Sequence, residues 1–116
     1  GVRDLLMGLK AKNIRMSVAS WNDPPPVTEV LKLLNIKDYF EYPQIEWDRP
    51  KAEMIRTIVT HLKRDGVSIR SDEILFVDDS NDHLDAVQKA DSQIRRAKAW
   101  SHPIHPEALL QATWLG

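Results

Sequence analysis

Residues 74–87 run Ile-Leu-Phe-Val-Asp-Asp-Ser-Asn-Asp-His-Leu-Asp-Ala-Val, and a change of period inside that stretch decides the fold. Ile74, Leu75, Phe76 and Val77 form an unbroken apolar run, which suits a strand covered on both faces. Leu84 and Val87, with Ala86 and Ala90, then repeat at helical spacing. Between them lies an acidic turn, Asp78-Asp79-Ser80-Asn81. A buried strand that runs straight into a helix is part of a strand–helix–strand crossover.

The same alternation extends in both directions. Upstream, Val2, Leu5, Leu6 and Leu9 mark one face of a helix, and Ile14–Ser20 suits a strand. Pro24, Pro25 and Pro26 stop that strand, and Asn22 or Asp23 is placed to cap the helix whose face is Val27, Val30, Leu31 and Leu34. A strand is expected over Tyr39–Ile45, weakened by Pro43. Pro50 then opens a helix with Ile55, Ile58, Val59 and Leu62 on its buried face, ending near Gly66. Downstream, Gln93–Trp100 is a candidate last strand, and Pro106 opens a final helix through Leu109 and Leu110. The pattern predicts an α/β protein, a Rossmann-like three-layer α/β/α arrangement with a mainly parallel sheet. The expectation is one domain over residues 1–116.

Composition removes several functions. Sixteen Lys and Arg against seventeen Asp and Glu leave a net charge of -1, with no electrostatic footprint for nucleic acid or an acidic membrane. There is no Cys, which removes disulfides, thiolate zinc sites and cysteine nucleophiles. The four Gly do not form a Gly-rich phosphate loop. No apolar run approaches the ~20 residues of a membrane-spanning helix, and a cytoplasmic location is expected. His102 and His105 suit a surface loop better than a zinc site, and Arg95, Arg96 and Lys98 suit a solvated face.

Ligands of open α/β sheets bind at the carboxyl ends of strands, and three such ends carry unusual residues. Asp78 and Asp79 repel one another and lose solvation, so they need a cation or hydrogen-bond donors to stay ionised together. Oxygen ligands without Cys or clustered His point to Mg²⁺ before Zn²⁺. The competing role is a capping turn for the next helix. Lys51 falls in a first helical turn, where the dipole disfavours a cation but an anion site would use one. Its replacement is expected to leave stability unchanged or slightly raised. Ser20 can offer its hydroxyl, with the Trp21 N–H, to a phosphate oxygen. Trp21 and Trp47 flank the strand mouths, where Trp47 and Asn22 are candidates for a substrate rim.

The segments VASWND (18–23), RPKAEMI (49–55) and ILFVDDSNDHLDAV (74–87) together resemble three ordered motifs of the haloacid dehalogenase superfamily, most closely its magnesium-dependent phosphatase-1 group. The resemblance implies a Mg²⁺-dependent hydrolase of phosphoric monoesters acting through an aspartyl-phosphate. Its substrate would be a phosphorylated small molecule or a phosphotyrosine-type group. Ser20 and the Trp21 N–H would bind the phosphoryl group. Lys51 would be the catalytic lysine that neutralises its charge, and Asp79 would ligate Mg²⁺ with Asp78 in support. Trp21 and Asn22 stand where Arg-Thr is usual, and His83 where a helix-starting Asn is usual. A response-regulator receiver has similar parts in a different chain order and is rejected. The family's nucleophile and general acid lie in an Asp-X-Asp motif after a central first strand, and the chain contains no Asp-X-Asp. The expectation is therefore a fragment lacking that strand and a lid segment, inactive alone. The alternative is a catalytically inactive phosphate-binding or interaction module.

Overall fold

The computed structural model describes residues 2–98, in which helices and strands alternate throughout. The order is α1 (Val2–Ala11), β1 (Ala19–Ser20), α2 (Pro24–Leu33), a 3-10 turn at Lys37–Tyr39, β2 (Gln44–Ile45) and α3 (Lys51–Arg64). A second 3-10 turn at Ser71–Glu73 precedes β3 (Leu75–Asp78), α4 (Asn81–Ala90) and β4 (Arg95–Lys98). The α/β class stands as expected. Residues 99 and 100 of the expected last strand, the expected loop at His102 and His105, and the helix expected from Pro106 lie outside the described residues.

Among the described residues the strands form two parallel pairs, β1 with β2 and β3 with β4. They belong to two compact units, residues 2–49 and residues 50–98.

In the first unit the strands are shorter than expected. Ile14–Ser20 contributes only Ala19–Ser20 as strand, with an isolated bridge from Met16 to Phe40. The cause lies in the partner. Glu41 N–H donates to Met16 O, but the next rungs run from Gln44 N–H to Val18 O and from Glu46 N–H to Ser20 O. One extra residue is thus inserted opposite Ser17. Pro43 has no N–H to donate, and Tyr42 takes a left-handed φ of 51°. The chain bulges there, and Gln44 takes over the donor role.

The start of α2 is equally local in origin. Asp23 occupies the N-cap but makes no side-chain capping bond. Helix starts normally leave N–H groups to be satisfied. Pro24, Pro25 and Pro26 have none, so the Asp23 carboxylate is released for another partner.

Three helices end by the same device. Asn13, Asn35 and Gly66 have φ of 61°, 56° and 86°. Each is followed by an apolar residue whose N–H reaches back: Ile14 to Leu9 O, Ile36 to Leu31 O and Val67 to Leu62 O. The left-handed residues donate to Lys10 O, Lys32 O and Lys63 O. These are Schellman closures of α1, α2 and α3.

The second unit holds a continuous core of Ile55 from α3, Phe76 from β3, Leu84 and Val87 from α4, and Ile94, with Val59 and Ile74 against it. β3 is covered on one face only: Phe76 is buried while Val77 remains 41% exposed. The expectation that the run is covered on both faces is not met among the described residues.

Candidate functional site

The carboxyl end of β3 folds around the side chain of Asp78. Its Oδ1 accepts the Ser80 N–H at 2.9 Å, an Asx-turn that swings the chain from strand into helix. Ser80 then caps α4, its hydroxyl accepting the His83 N–H at 3.4 Å. The capping role foreseen for the acidic turn is thus divided between Asp78 and Ser80.

The second oxygen of Asp78 faces two donors. Lys51 Nζ lies 3.4 Å from Oδ2, with the two side chains only 6% and 9% exposed. His83 Nδ1 lies 3.2 Å from the same oxygen. Burial on its own pushes the Asp78 carboxyl up, but the Ser80 N–H, the Lys51 charge and His83 outweigh it and hold the group below the ordinary carboxylate range. Asp78 is therefore an ionised carboxylate with both oxygens engaged.

Lys51 owes its burial to helix geometry. It is the first residue of α3 and precedes Met54 and Ile55 by three and four positions, so it shares their inward face. Pro50 is the N-cap of α3, one position before its expected place as first helical residue. Lys51 is no solvated surface cation, and its buried ion pair argues that its loss lowers stability instead of leaving it unchanged or slightly raised.

Asp79 differs from its neighbour. It is exposed, and its carboxylate has no hydrogen bond or ion pair within the described residues. No group of three or more His, Asp or Glu is gathered to enclose a metal among the described residues.

In the first unit, Ser20, Trp21, Asn22 and Trp47 gather at one end of the β1–β2 pair, because parallel strands send both following loops to the same side. The Ser20 carbonyl receives the Glu46 N–H. The Trp21 indole is half-buried and donates to Arg49 O at 2.6 Å. Asn22 Oδ1 accepts the Asp23 N–H. Trp47 is 56% exposed, and its indole N–H donates to Asp23 Oδ1 at 2.9 Å. The released carboxylate of Asp23 thus finds its partner here, and two tryptophans stitch the loops together.

Lys51 and Asp78 are brought together, and Ser20, Trp21, Asn22 and Trp47 are brought together. His83 is the residue that sequence reasoning passed over as a mere departure from a motif. Its signal was the spacing: five residues after Asp78, at the third position of a helix that starts from an Asx-turn.

A model of the family described as haloacid dehalogenase-like hydrolases matches residues 1–96. No curated protein and no solved structure matches the chain. The chain belongs to the haloacid dehalogenase-like hydrolase family. No helix among the described residues is long and apolar enough to cross a membrane.

Proposed function

We propose that this hydrolase acts on phosphoric monoesters with Mg²⁺, and that the chain contributes the anion-binding and cation-binding parts of the site. The observation that carries the proposal is the buried Lys51–Asp78 pair at the carboxyl end of β3. A buried ammonium paired with a carboxylate is costly to desolvate and suits compensation of charge on a transferring phosphoryl group.

Within this scheme Lys51 is the catalytic cation. Ser20 and the Trp21 N–H bind phosphoryl oxygens. Asp79 is the residue that would hold Mg²⁺. The donor set fits, because Mg²⁺ keeps several waters and takes one or two carboxylates, and Asp79 offers one with open oxygens. When bound, the ion would supply charge neutralisation at the phosphoryl oxygens. Asp78 supports the site by fixing Lys51. Trp47 and Asn22 form the rim that meets the rest of a phosphorylated small molecule.

The absence of an Asp-X-Asp pair favours a second function, a phosphate-binding module without turnover. Two measurements decide between them: calorimetry with inorganic phosphate, and hydrolysis of an aryl phosphate with and without Mg²⁺. Lys51→Met should weaken phosphate binding at least tenfold. Asp79→Asn should weaken Mg²⁺ binding measured by calorimetry, while Asp85→Asn should leave it intact. Phosphate affinity unchanged in Lys51→Met would sink both functions. The chain by itself should bind without turnover, and Mg²⁺-dependent product release from it would place the nucleophile at a residue outside these motifs.

A further inference from the structure

We propose that His83 is a positioning residue, whose Nδ1–H holds the Asp78 carboxylate in the one orientation that keeps Lys51 in place for an anion. The proposal rests on the phosphate role of Lys51 given above and adds a residue to it. An ionised carboxylate only accepts hydrogen bonds, so at 3.2 Å the proton between His83 and Asp78 belongs to Nδ1. Asp78 Oδ2 is shared between His83 and Lys51, while Oδ1 is taken by the Ser80 N–H.

Each of these three donors restricts a different freedom. The Ser80 bond ties the carboxylate to its own turn. The Lys51 contact comes from a long, rotatable side chain and cannot by itself set an angle. The His83 ring is rigid beyond two torsions and is carried on α4, whose start is fixed by the Ser80 cap. It is the donor that decides which way the second oxygen points. Without it, the carboxylate keeps the Ser80 bond and the contact from the flexible Lys51 side chain, and the direction of its second oxygen is no longer set by a rigid donor.

The chemistry asks for a donor at one place and not for an imidazole as such. The side-chain nitrogen of Asn branches from the same carbon as Nδ1 of His, whereas that of Gln lies one bond further out. His83→Asn should therefore retain the bond, and His83→Gln and His83→Leu should lose it. Calorimetry with inorganic phosphate is expected to give wild type and His83→Asn affinities within about threefold, with His83→Gln and His83→Leu roughly tenfold weaker, the worth of one hydrogen bond to a charged group. All three variants lose the ring, so a packing role alone would weaken them together. Equal affinities in His83→Asn and His83→Leu would overturn the proposal.

A second measurement does not depend on phosphate. Long-range ¹H–¹⁵N spectra of the imidazole should show a proton on Nδ1 in wild type. A bare Nδ1 would overturn the positioning role while leaving the Lys51 function standing. A wild type with protonated Nδ1 that binds no phosphate would instead bring down the function and, with it, the purpose of the bond.

Discussion

The two halves of the described chain carry the same apolar spacing and use it differently. In residues 50–98 the stripe of α3 is spent on a core: Met54, Ile55 and Leu62 are buried along with Phe76, Leu84, Val87 and Ile94. Among the residues of 2–49 whose burial is described, only Leu6 and Ile36 reach that state, and α2 with its C-cap leaves Val30 and Leu34 more than half exposed, with Leu33 at 82%. A periodic stripe shows which face of a helix is apolar. It does not say that a partner covers it. In the second half the covering partner is local, since β3 and α4 follow one another and fold back on α3. Stability should therefore be concentrated in residues 50–98.

The sharpest way to break this comparison is Phe76→Ala. Phe76 packs within the core of residues 50–98, so its truncation should cost ~3–5 kcal/mol. Amide exchange should show protection lost first across α3 and α4. A loss under ~1 kcal/mol, or protection that stays highest in α1 and α2, would reverse the ranking of the halves.

Next in size is Lys51→Met, which removes one partner of a buried pair. The cost should be ~3 kcal/mol, read from a urea midpoint. Acid tests the same pair from the other side. The folded state holds the Asp78 carboxyl below its unfolded range, so its contribution is complete above pH ~4 and fades as pH falls through the lowered value. Asp78→Asn should flatten that part of the stability profile. An unchanged acid limb would mean that the carboxylate has little net effect.

The smallest effect is expected in the first half. Leu33→Ser on the exposed face of α2 should alter stability by no more than ~0.5 kcal/mol. A cost several times larger would show that this stripe is covered in solution, and the contrast between the halves would narrow.

Much of the fold was legible because it rests on local signals. The apolar run at 74–77, the stops at Asn35 and Gly66, and the prolines that open α2 each act within a few residues. The bulge at Tyr42 and Pro43 was not, because a shifted rung depends on the partner strand as well as on the proline. Lys51 was legible as a candidate site residue, but its burial was not, since dipole considerations concern the helix end and say nothing about which way the first residue faces. Its place three and four positions before Met54 and Ile55 held that information. Asp78 and Asp79 are indistinguishable as letters. Their division into an engaged and an open carboxylate follows from strand alternation and from the Asx-turn, which only one of them can make.

The three helix stops have a consequence for how freely the chain can vary. A Cβ added at Gly66 would meet no atom within 4 Å, so nothing but its backbone angle of 86° limits that position. Asn13 and Asn35 answer the same angular demand with a side chain attached. A saturation library over positions 13, 35 and 66 would accordingly return a short alphabet, dominated by Gly, Asn and Asp, at three surface positions where exposure alone would lead one to expect nearly any letter. Mutational tolerance in this protein is set there by handedness, and an inventory of contacts would not reveal it.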